Sequence, residues 1–173
     1  MNKLLLLKRL QNERDQFELL LNRIGFARQL TMKGVVGGLS IKDLLADVLA
    51  REQFSADRLA EILHGEAYSP SISFTALENF KDQFGYPDYE SPLMAMERPC
   101  QFVIEKYKNV ALEELVSQEL AVYANILDAL NKLSHHQCLD HDVFHRTAEH
   151  TYKSYRRVGA AIKRWLKQIE GSK

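Results

Sequence analysis

The stretch Ser40-Ile41-Lys42-Asp43-Leu44-Leu45-Ala46-Asp47-Val48-Leu49-Ala50-Arg51-Glu52 decides the fold. Its apolar residues fall at Ile41, Leu44, Leu45, Val48 and Leu49, and the series continues through Leu59, Ile62 and Leu63. Steps of three and four return each side chain to one face of a helix, whereas a strand would scatter the same set over both faces. Ser40 with Asp43 three positions on resembles a capping box, with an acid shorter than the usual Glu or Gln. The pattern predicts a helix that opens at Ser40, ends near His64 and Gly65, and needs partners to cover its stripe.

Those partners lie on both sides. Upstream, the seven-residue spacings of Leu10, Phe17 and Ile24 and of Leu7 and Leu21 predict a helix from Lys3 to Ile24. About fifteen residues containing Gly34, Gly37 and Gly38 then lead to Ser40, more than usually join neighbouring bundle helices, so a tight hairpin is not expected. Downstream, Pro70, Pro87 and Pro92 punctuate residues 68–92, which read as an excursion with one short helix over 75–84. Helical patterns follow over residues 94–108 and 112–133, as two helices or one kinked helix, and over 142–169. The last carries Phe144, Ala148, Tyr155, Val158, Ile162 and Trp165 on its apolar side. No segment alternates with period two. The expected fold class is all-α: a four-helix bundle with a crossover connection and a short extra helix in the 68–92 excursion, one domain over residues 1–173.

Composition removes several function classes. The 23 Lys and Arg balance the 23 Asp and Glu, so the charge signature of a nucleic-acid binder is missing. The apolar run Leu4 to Leu7 is too short for a signal peptide or a membrane span, and the expectation is a cytoplasmic protein without a membrane partner. Cys100 and Cys138 are expected as reduced thiols.

The informative residues are polar ones inside the stripes. Glu52 lies seven after Leu45 and seven before Leu59, and Glu119 seven after Leu112 and seven before Ile126. Glu13 and Arg14 interrupt the first helix in the same way, and Tyr152 and Thr151 the last. A polar layer inside the bundle follows. It is either an internal ion pair of Arg14 with Glu52 or Glu119, with stripe-edge acids reaching solvent, or a cavity lined by carboxylates and a phenol where a general acid or base is tuned.

Metal chemistry finds less support. His135, His136, His141, His145 and His150 cluster late, with Cys138 near the His141/His145 pair, but at a helix end, a loop and a helix start, where a solvated capping region is the better reading. Glu61 and His64 form a single Glu-x-x-His, whereas a di-iron bundle needs two and two further glutamates. The glycines at 34–38 lack the Lys-Ser/Thr ending of a phosphate loop. No metal and no cofactor is expected.

Three pieces carry a family resemblance. Gly34-Val35-Val36-Gly37-Gly38-Leu39 running into the quoted helix resembles the entry to helix two of DinB/YfiT-like four-helix proteins. His150-Thr151-Tyr152-Lys153-Ser154-Tyr155, followed by Ile162-Lys163-Arg164-Trp165-Leu166, is similar to the closing helix of the ClbS/DfsB branch, and Val110-Ala111-Leu112-Glu113-Glu114-Leu115 resembles the start of its third helix. The wider group often holds a metal with one histidine on helix two and a His-x-x-x-His on helix four; here those positions are Asp47, His150 and Ser154. Helical phase, with His150 between Val143 and Arg157, turns it outward. The branch resemblance implies a metal-independent bundle with an interior pocket for a small molecule, and a hydrolase that opens a strained electrophile. On that reading Glu52 or Glu119 takes a proton from water, Tyr152 orients the ligand or donates to it, Arg14 holds the second carboxylate, and Thr151 and His150 complete the binding surface. The alternatives are a non-catalytic binding or sequestering bundle, and a structural homodimer whose polar layer sets helix register.

Overall fold

The computed structural model describes residues 2–25, 27–94 and 99–171, and among these every regular element is a helix. In order they are α1 (Lys3–Ile24), α2 (Ala27–Leu30), α3 (Ile41–Leu63), α4 (Phe74–Phe84), α5 (Gln101–Tyr107), α6 (Leu112–Lys132), α7 (His135–Asp140), α8 (Val143–His150) and α9 (Tyr152–Gly171). The long helices α1, α3, α6 and α8 with α9 bury their stripes against one another as an all-α bundle. No helix is long and apolar enough to cross a membrane among the described residues.

Local chemistry sets the ends as the spacing predicts. Ser40 accepts from the Asp43 N–H at 3.2 Å, and the Asp43 carboxylate accepts from the Ser40 N–H at 2.9 Å, so two orphan donors at the start of α3 are satisfied reciprocally. Lys33 also reaches that carboxylate at 2.7 Å, which ties the glycine-rich connection to the cap. Gly25 closes α1 with φ 73°, a conformation that a side chain resists. The main neighbours of α1 are α9 and α8, and those of α3 are α6, α5 and α8, so α1 and α3 are not a tight hairpin.

Two features depart from the sequence reading. First, α3 is buried all round from Asp43 to Glu52, including Asp47 and Arg51 on what reads as a solvent face. The cover comes from α5 and from residues 85–92. The proline-punctuated excursion is therefore part of the core: Asp88, fully buried, accepts from the Tyr68 hydroxyl, from the Ser71 N–H at 2.8 Å and from the Glu90 N–H at 3.2 Å, and Tyr86 and Tyr89 are buried beside it. Second, the helix expected over 142–169 is broken. Thr151, at φ −122° and ψ −96°, separates α8 from α9, and its hydroxyl donates to the Thr147 carbonyl at 2.6 Å. His150, which the count of seven to the exposed Arg157 turns outward, is instead buried at 3% exposure.

Smaller corrections follow. The helix expected over 94–108 spans only Gln101–Tyr107, with residues 95–98 outside the described set, and it is separate from α6. Glu13 does not point inward; it sits at the surface in an ion pair with Arg156. His135, His136 and His145 are exposed around α7 and the start of α8.

Candidate functional site

Each of the four long helices contributes one residue to a buried polar layer: Arg14 from α1, Glu52 from α3, Glu119 from α6 and Tyr155 from α9. Arg14 is the hub. Its Nη2 donates to Glu119 Oε2 at 2.6 Å while its Nη1 bonds the other Glu119 oxygen, a bidentate pair that fixes the guanidinium plane. Nη1 also lies 3.4 Å from Glu52 Oε2 and 3.3 Å from the Tyr155 hydroxyl, and Nε donates to Glu18 Oε1 at 3.0 Å one turn along α1. The Tyr123 ring lies 3.8 Å from the guanidinium carbon. Tyr155 donates to Glu52 Oε2 at 2.8 Å, and its ring stacks on Phe17.

Three carboxylates thus surround one guanidinium, and their burial differs. Glu52 is wholly buried, Glu119 keeps 15% of its side-chain surface and Glu18 keeps 47%. Burial, then the field and hydrogen bond of Glu119, push the Glu52 carboxyl well above the usual 4.5, against the opposing pull of Arg14 and Tyr155. Glu52 therefore keeps its proton where an ordinary glutamate has lost it. Burial and the Glu52 carboxyl likewise raise the Tyr155 phenol, and burial raises Tyr123 to about 12. Burial disfavours the Arg14 charge, but Glu119, Tyr155 and Glu52 outweigh it and hold Arg14 charged.

Beside this layer lies a cavity of about 440 Å³ between α1 and α6. Phe17, Leu21, Leu30, Leu45, Leu115, Val116 and Leu120 make it largely apolar, and Arg14, Glu18, Glu119 and the neutral Asn22 form its polar wall. Its size and its mix of apolar lining with a few convergent polar groups suit a small organic molecule. Glu52 is not part of the wall; it stands behind Arg14.

The sequence-predicted residues divide accordingly. Arg14, Glu52 and Glu119 meet, as the spacing predicts, in an ion-paired layer; a cavity opens beside Arg14 and Glu119, but no phenol lines it and Glu52 does not reach it. Tyr152, Thr151 and His150 are elsewhere. Tyr152 is buried under the Arg156 guanidinium, Thr151 spends its hydroxyl on the α8 backbone, and His150 packs against Phe54 and Tyr89 at ring distances of 4.9 and 6.4 Å. The phenol of the layer is Tyr155. It sits in the stripe seven after Ala148 and seven before Ile162, and a stripe tyrosine has a hydroxyl that needs a buried partner, which was the available signal. Glu18 was equally legible, four residues after Arg14.

The positions that would correspond to a metal site carry a cation of their own. Asp47 accepts from Arg51 Nε at 3.0 Å and from the Cys100 N–H at 3.4 Å, and the Arg51 guanidinium lies over Tyr89. Burial first, then the field of Arg51, lowers His150 to about 3. A neutral imidazole can ligate, but a buried guanidinium on the one carboxylate opposes a metal cation there. Among the described residues no group of three His, Cys, Asp or Glu is placed to hold an ion.

No protein-family model matches the chain, and no curated protein matches it. Its fold is similar to that of an uncharacterised protein from Escherichia coli UTI89, with a TM-score of 0.64 at 16% identity, over 98% of this chain and 95% of that one.

Proposed function

We propose that this protein captures a small, largely apolar organic molecule in the cavity between α1 and α6 and adds water to an electrophilic centre on it, without a metal. The observation that carries the reading is the place of Glu119, on the cavity wall and clamped by Arg14, with the protonated Glu52 behind. A buried guanidinium held by two carboxylates and a protonated carboxyl gains little stability over an apolar core, and such a cluster beside a cavity is a candidate for function. Glu119 takes a proton from a water held in the cavity, the water oxygen bonds to the electrophilic carbon, and the electrons of the strained bond that breaks recover the proton. Arg14 orients Glu119, and Glu52 with Tyr155 orients Arg14. The resemblance to the ClbS/DfsB branch agrees with this class of reaction.

Non-catalytic capture is the second reading, favoured by one observation: Arg14 occupies both Glu119 oxygens. The test is a panel of small epoxides and activated cyclopropanes, with hydrolysis followed by mass spectrometry. The proposal expects acceleration by the wild type and a loss of roughly 10²-fold or more in Glu119→Gln, measured well below the melting point of the variant, which has lost the charge partner of Arg14. Binding of the panel without any turnover would leave capture as the function.

A further inference from the structure

We infer that the cavity between α1 and α6 selects molecules with a protonated amine at one end of an apolar body. This rests on the small-molecule reading of the cavity and adds the charge of its ligand. The polar wall has one cation, Arg14, and two formal anions, Glu18 and Glu119, so it is left with an excess of negative charge. Arg14 has little to offer an anion. Its Nε serves Glu18, its Nη1 serves Glu52, Glu119 and Tyr155, its Nη2 serves Glu119, and the Tyr123 ring covers its plane. The carboxylates are in the opposite position. Each oxygen has lone pairs beyond the single bond it takes from Arg14, and Glu18 is nearly half exposed. Beside the neutral Asn22 amide, the charged groups of the wall therefore present acceptors, and the partner that satisfies charged acceptors in a low-dielectric cleft is a charged N–H donor.

The rest of the molecule sharpens the assignment. A second cavity of about 400 Å³, between α3 and α9, is lined by Arg51, Arg157 and Arg164 against Asp47 alone. Two spaces of similar size thus carry opposite charge, and a carboxylate ligand has a better place to go.

The experiment uses three probes of one carbon skeleton, phenylbutylamine, phenylbutanol and phenylbutyrate, titrated into the whole protein by calorimetry. Methyl NMR of Leu115 and Leu120 on one side and Val158 on the other reports which cavity fills. The expected result is that the amine binds at Leu115 and Leu120 at least about tenfold more tightly than the alcohol, and that Glu18→Gln and Glu119→Gln each shrink that advantage. Equal affinity of amine and alcohol, tighter binding of phenylbutyrate at Leu115 and Leu120, or an amine advantage unchanged in both variants overturns the charge assignment and leaves the cavity reading standing. If none of the three moves the Leu115 and Leu120 methyls, the small-molecule reading itself falls, and this inference with it.

Discussion

Of the buried arginines at helix α3, two, Arg14 and Arg58, are clothed differently. At Glu52, the Arg14 guanidinium from α1 is surrounded by carboxylates and a phenol, and a cavity of about 440 Å³ opens beside it. Six residues on, Arg58 is held among Phe54, Tyr68, Phe80 and Phe84, whose ring centres lie 5.1, 4.9, 5.1 and 4.6 Å from its guanidinium carbon, with Glu61 as its ion-pair partner at 2.7 Å. The space beside Arg58 on its α8 side, lined by Phe54, Glu90, Arg146 and His150 among others, is about 10 Å³, the volume that admits a single water. Aromatic faces satisfy a cation while closing around it, and they bring apolar area to the core. Carboxylates satisfy it with directional acceptors that leave charge on the surface of the cleft. The difference separates a cation packed among rings from one held among carboxylates beside a cavity.

The largest effect that tests this contrast is expected for Arg14→Met. Removing the hub leaves the partly buried Glu119 carboxylate without its counterion and the buried Glu52 carboxyl without one of its donors, and urea unfolding should show a loss of about 3–5 kcal/mol. Most of it should return in the Arg14→Met, Glu52→Gln, Glu119→Gln triple variant, because the stranded Glu119 charge is gone. A loss below about 1 kcal/mol would mean that the layer behaves as a surface pair.

Arg58→Met should cost less, about 1–2 kcal/mol, because an unbranched thioether keeps the aromatic surround filled and leaves only the partly exposed Glu61 without its partner. The contrast breaks if this variant is as unstable as Arg14→Met in the same urea titration.

The two regions should also respond to pH with opposite sign. Glu52 has a folded pKa above its unfolded value near 4.5, so the folded state binds the extra proton and stability falls as pH rises from about 4.5 toward the folded value. Glu52→Gln should flatten that fall and leave stability near neutral pH unchanged or higher. His150, packed on Phe54 and Tyr89, is lowered from 6.5 to about 3, so the unfolded state binds the extra proton and stability falls as pH drops from 6.5 toward 3. His150→Gln should flatten that acid-side slope. Melting curves across pH for wild type and both variants show whether each slope follows its residue.

The smallest effect concerns helix start rather than charge. Ser40→Ala removes one side of the α3 capping box and should lower stability by about 1 kcal/mol, with no change in probe binding at Leu115 and Leu120. A shift in ligand affinity would show that the entrance of α3 is coupled to the cavity.

Spacing and end signals alone fix the long helices α1, α3 and α6 and one buried polar layer. Lys3–Ile24 and Ile41–Leu63 follow from spacing and caps, and the meeting of Arg14, Glu52 and Glu119 follows from polar residues placed where a continuous stripe expects apolar ones. These are local facts, fixed by the period of the helix. Only the tertiary structure decided the rest. Burial of Arg51 and Arg58 depends on residues 68–92, which have no period to read and reach α3 from elsewhere in the chain. Tyr152 and Tyr155 are both buried, and which of them reaches Glu52, like the packing of His150 against Phe54 and Tyr89, is set by the helices around them. Periodicity tells which residues face inward, and which neighbours they meet there is set by contacts that no spacing encodes, most of all where a non-periodic segment packs across.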